Sequence, residues 1–125
     1  MDLDRIYIEE AIRIRKEFLY NMSFIDNLEP QYEKLLVEFE KAKEQIDDID
    51  REGEDKRYNK DYLIDLLDKL NTHINETVNK IKPYTDAIKV LDEDHKVLYR
   101  SIKEKYPNIT DEEMKESIIP YIINL

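Results

Sequence analysis

The chain has 125 residues, 41% hydrophobic and 40% charged, with a formal net charge of −10, one glycine, four prolines and no cysteine. That length suits one domain, and the aliphatic share is too high for a disordered chain. Missing cysteine excludes disulfides and thiolate metal sites. The charge disfavours direct binding to nucleic acid or anionic membrane, since no basic run is longer than Lys56-Arg57.

No window approaches the 18 or so apolar residues that a membrane span needs. Asp2, Asp4, Glu9 and Glu10 come too early for a secretory signal. The expected location is therefore the cytoplasm. The isoleucine-rich, highly charged composition also suits a phage or viral protein, for which host cytoplasm or virion is the corresponding expectation.

Periodicity predicts a first helix over 3–27. Tyr7, Ala11, Ile14, Phe18, Ile25 and Leu28 form one stripe at helical spacing, and Ile8, Ile12, Leu19 and Met22 form a second beside it. Together they span roughly 200° of the wheel, about twice the arc of an ordinary surface helix. A rod that apolar needs more than one neighbour. Arg15 interrupts the arc, which is tolerable if its stem packs and its head reaches water.

Asp26-Asn27 and Pro30 predict a break and a second helix over 30–52, with a seam of Tyr32, Leu35, Phe39, Ala42, Ile46 and Ile49. Gly53 centres the next break. A third helix is expected over 59–82, carrying Leu63, Leu66, Leu67, Leu70, Ile74, Thr77, Val78 and Ile81, and stopping or kinking at Pro83. A fourth, over 84–106, carries Ile88, Leu91, His95, Leu98 and Ile102.

Thr110-Asp-Glu-Glu113 reads as a capping box, with Ile109 and Met114 placed as a hydrophobic staple, so a short fifth helix is expected over 110–119. Pro120 should end or bend it. The last eight residues hold Ile118, Ile119, Tyr121, Ile122, Ile123 and Leu125 and no charged side chain. Such a segment either caps the bundle or serves as an apolar handle for another protein. No segment alternates with period 2, so no sheet is expected. Of the tyrosines, Tyr7, Tyr32 and Tyr62 fall on or beside apolar faces, while Tyr20, Tyr58, Tyr99 and Tyr106 look outward or sit near helix ends.

Two constellations bear on metals. Residues 48–59 place Asp48, Asp50, Glu52 and Gly53 like the first half of a calcium loop, but Asn59 stands where that loop needs a bidentate glutamate. An acidic helical corner is the simpler reading. If the chain folds back at Pro83, His73 with Glu76 and His95 with Asp92 come to similar heights. One pair is reversed relative to the Glu-x-x-His of carboxylate-bridged metal bundles, and no core-facing glutamate completes the set. A histidine on an apolar seam is more often packed than ligating. No phosphate loop, nucleophile elbow or zinc-protease motif occurs, and nearly all the carboxylates fall on predicted wet faces, where a carboxylate keeps ordinary acidity.

The expected fold is all-α: a single helical domain over 1–125, built as an antiparallel bundle or coiled-coil hairpins of four main helices and a short C-terminal one. The expected function is a non-enzymatic protein–protein interaction module, a subunit or small scaffolding protein, with no cofactor. Its partner is another protein or a second copy of itself. Ile8, Ile12, Leu19, Met22, Ile118, Ile119, Tyr121, Ile122 and Leu125 are the candidate interface. An acidic inhibitor imitating nucleic acid before a basic protein is the alternative, and a metal-binding bundle the third reading.

Overall fold

The computed structural model describes residues 2–52 and 57–125, and at positions 52 and 57–59 the backbone alone. The described residues form three α-helices and no strand: α1 over Arg5–Glu52, α2 over Arg57–Lys105 and α3 over Asp111–Ile122. All-helical architecture follows from the patterning. The expected count of four main helices plus a short one is corrected to two long helices plus a short one.

Both corrections fall at proline. Pro30 lies inside α1 and Pro83 inside α2. An interior proline forfeits one hydrogen bond and crowds the preceding turn, at about 3 kcal/mol relative to alanine. The seams on either side of each proline are in one register, and that continuity opposes a break. In α1, positions 7, 11, 14, 18, 21, 25, 28, 32, 35, 39, 42, 46 and 49 alternate steps of four and three, and none is exposed. In α2, positions 63, 67, 70, 74, 77, 81, 84, 88, 91, 95, 98 and 102 do the same, with only His95 exposed. Fully burying one large aliphatic side chain contributes about 1.5–3 kcal/mol. Two or three seam residues held in register therefore offset the proline penalty.

The chain divides into two compact units, Met1–Phe24 with Tyr84–Leu125, and Ile25–Pro83. In the first, the start of α1, the end of α2 and α3 enclose a core of Leu3, Ile8, Ala11, Leu98, Ile102, Ile109 and Met114. Ile102 is 0% exposed and sits at its centre. α1 and α2 run antiparallel here, since Asp4 meets Tyr106, Arg13 meets Asp94 and Phe24 stacks on Tyr84 with ring centroids 4.5 Å apart.

The second unit is a helical hairpin. Ala42, Ile49 and Leu63 form its buried cluster, with Ile46, Leu66 and Leu67 packed against it. Lys60 is ion-paired to Asp50. Thr77 is buried on the seam of α2, and its hydroxyl donates to the carbonyl of His73 at 2.9 Å. Tyr62, expected beside the core, is 65% exposed. It stands one position before buried Leu63, so the seam turns it outward.

Candidate functional site

The start of α3 is fixed by local chemistry. Thr110 is its N-cap in extended geometry, with φ −84° and ψ 160°. The Thr110 hydroxyl accepts from the Glu113 N–H at 3.1 Å, and the Glu113 carboxylate accepts from the Thr110 N–H at 3.3 Å. Ile109 and Met114, the staple pair, are both buried in the first unit's core. Pro120 does not end the helix, which runs to Ile122, and the Ile123 N–H still donates to the Ile119 carbonyl.

Longer-range bonds hold that end of α2 in place. Tyr99 donates to the Asp111 carboxylate at 2.8 Å, with Lys103 Nζ 3.3 Å away. Hydrogen bonding to Tyr99, then the nearby Lys103, lowers the Asp111 pKa below its ordinary value, and the same bond raises that of Tyr99. Lys103 also donates to the Ile109 carbonyl at 2.7 Å. Tyr106, expected to look outward or to sit near a helix end, directly follows the last residue of α2 and packs its ring against the core. Its hydroxyl donates to the Asp4 carboxylate at 3.0 Å and accepts from the Asp4 N–H at 3.2 Å.

On the inner side of α3 lies an open apolar groove of about 750 Å³. Ile14 and Phe18 of α1, Ile88 and Leu91 of α2, and Ile118 and Ile122 of α3 form its main walls. Arg15, Lys89, Asp92, Glu93 and His95 stand around it. The Arg15 guanidinium lies 5.6 Å from the Phe18 ring centroid, a cation–π contact. Lys96 bridges Asp92 at 3.4 Å and Glu93 at 3.2 Å. Its own pKa is raised, first through the hydrogen bond to Glu93 and then through that to Asp92. Among the described residues Arg15 and Lys89 have no ion pair. Arg13, by contrast, is bonded to Glu10, to Glu17 at 3.1 Å and to Asp94 at 2.9 Å. Those bonds, Glu10 first and Asp94 next, raise its pKa further.

The candidate interface residues separate into four groups. Ile8 is 8% exposed and belongs to the core, and Ile12 packs against that core. Much of the width of the N-terminal apolar face is therefore met within the chain. Leu19 and Met22 are half-buried. Ile118 and Ile122 line the groove, while Ile119, Tyr121, Ile123 and Leu125 are 43%, 57%, 69% and 45% exposed. α3 thus carries Ile118 and Ile122 toward the groove, and exposed apolar side chains on both flanks of that face, Ile119 and Ile123 on one and Tyr121 on the other. Sequence reasoning identified the tail but missed the groove. Its signal was Ile88 and Leu91 in α2 together with a wide α1 face, and only the path of α3 joins them.

The histidine pairs are not brought together, because α2 continues through Pro83 where the fold-back was expected. His73 Nδ1 stands 3.8 Å from Glu76, both side chains being well exposed, and Asp92 is engaged by Lys96. His95, expected to pack on the seam, is exposed at the groove. Among the described residues no group of three histidine or acidic side chains is arranged to hold a metal ion. The central part of the calcium-loop-like stretch, residues 53–56, lies outside the described residues. Among the described residues no helix is long and apolar enough to cross a membrane. Comparison with known proteins returns no matching family, curated protein or solved structure.

Proposed function

We propose that this protein is a non-enzymatic helical interaction module, a subunit or small scaffolding protein that docks on another protein chain or on a second copy of itself. The observation that supports the reading is the outward row of alternate residues Ile119, Tyr121, Ile123 and Leu125, each at least 43% exposed, in a segment with no charged side chain; helical spacing puts Ile119 with Ile123 on one flank of α3 and Tyr121 on the other. Exposed apolar surface costs free energy in water, and on folded proteins it concentrates where another macromolecule binds. An exposed tyrosine among them fits, since an aromatic ring with a polar tip is favoured at interfaces.

The test is a paired change, Ile119→Lys with Ile123→Lys. Both side chains point to solvent, so the melting temperature should barely move, within about 0.5 kcal/mol of stability. Association should fall by roughly thirtyfold or more if the row holds an energetic centre, since such residues contribute about 2 kcal/mol or more. The assay is the mass of the complex recovered from the source cell by light scattering, or of the purified protein if the partner is itself. An unchanged complex mass in the double variant would refute the proposal.

A second reading, an acidic inhibitor of a nucleic-acid-binding protein, is favoured by one feature. Asp26, Glu33, Glu40 and Asp47 recur every seven residues on one exposed line of α1. That line could be steered to a basic groove. Salt separates the two readings, because exposed charge pairs are screened within about 10 Å at 0.1 M and apolar docking is not.

A further inference from the structure

The groove inside α3 differs from the outward row in having charged groups set beside an apolar floor. Ile14, Phe18, Ile88, Leu91, Ile118 and Ile122 supply that floor from three helices. Arg15 and Lys89 stand at it from two different helices, and among the described residues neither is ion-paired. The two acids that line the groove, Asp92 and Glu93, share an ion pair to the one lysine Lys96. Lys96 brings one positive charge to those two acids, so together with Arg15 and Lys89 the bases at the groove outnumber the acids by one, in a chain whose formal charge is −10. Distant carboxylates count little against this at physiological salt, where screening acts within about 8 Å.

We propose that the groove binds a linear aliphatic carboxylate, a free fatty acid, with its chain along the apolar floor and its head against Arg15 and Lys89. Its volume, about 750 Å³, falls in the range of small-molecule sites. A guanidinium and an ammonium on separate walls suit one carboxylate, which accepts from both. A docked helix is the poorer fit. It is about 10 Å across with its side chains, and the groove is a gap between helices that themselves pack about 8–10 Å apart. The proposal uses the inner side of α3 and stands or falls independently of the outward row.

The experiment titrates the full chain with dodecanoate below its micelle concentration, following isoleucine methyl signals by NMR and heat by calorimetry. Saturable one-to-one binding is expected, with shifts at Ile14, Ile88, Ile118 and Ile122 and little change at Ile119 and Ile123. Dodecanol should bind about tenfold or more weakly, as should dodecanoate to the Arg15→Gln, Lys89→Gln double variant, since each loses charge-assisted hydrogen bonds. Both positions are exposed, so the variant should keep the wild-type melting temperature and report binding alone. Shortening the acid should weaken binding by about fourfold per methylene. The proposal is overturned by absence of saturable binding, by equal affinity for acid and alcohol, or by shifts confined to the outward row. It is equally overturned if the groove methyls shift with protein concentration alone, which makes a second copy the occupant. Tighter binding of an amphipathic acidic helical peptide to the same methyls would overturn it as well.

Discussion

Thr110 and Asp111 show how few atoms decide where α3 begins. Replacing Thr110 with alanine removes the acceptor for the Glu113 N–H and should cost about 1 kcal/mol, read as a lower denaturation midpoint and faster amide exchange at Glu113. Asp111 adds a pH dependence. Its pKa is depressed in the fold by Tyr99 and Lys103, so its contribution is complete above the ordinary carboxylate range and is lost as pH falls through the lowered value. Asp111→Asn should therefore be less stable than wild type at neutral pH, with the gap closing in acid; thermal melts across pH measure it. Ile102, with no exposed surface, is the packing counterpart, and Ile102→Ala should cost about 2–5 kcal/mol in a denaturant melt. The cap was legible in the sequence because its partners lie within three residues of each other. The Asp4–Tyr106 bond joins residues 102 apart, and nothing local announces it.

Among the elements, the prolines are the instructive positions. Pro30 and Pro83 are strong local stop signals, yet α1 and α2 pass through both. Taken locally, each helix reads as two halves with separate seams. Leu28 and Tyr32, and likewise Ile81 and Tyr84, keep the heptad step across the proline, and that shared register carried the missing information. A packing pattern over many turns outweighs one lost hydrogen bond, but only the relative register of the halves reveals it. Pro30→Ala and Pro83→Ala should each raise stability, by up to about 3 kcal/mol, with helical circular dichroism kept or increased. A loss of stability in either variant would mean that the helix needs its proline. The wide apolar arc of α1 was readable too, but its main neighbour was not. Ile8 and Ile12 are met inside the chain because α3 returns over them, a path set by the 106–110 connection and by the cap.

Across the whole molecule, charge and apolar surface are unevenly divided. Carboxylates line the solvated faces, and the long helices satisfy each other through their seams. The last turn of α3 and the residues after it leave isoleucine, tyrosine and leucine in water. That residue of unburied apolar surface is what the interaction reading rests on. It was visible as an uncharged octet, although its division into a groove side and a solvent side needed the fold.

The most direct measurement is hydroxyl-radical footprinting of the protein within the complex recovered from its source cell, compared with the purified chain diluted until it is monomeric. The account expects strong protection of Ile119, Tyr121, Ile123 and Leu125 in the assembly, and unchanged reactivity at Val90 and Val97, which are exposed on α2. Equal reactivity of the α3 row in both samples, or protection at the α2 valines instead, would contradict it.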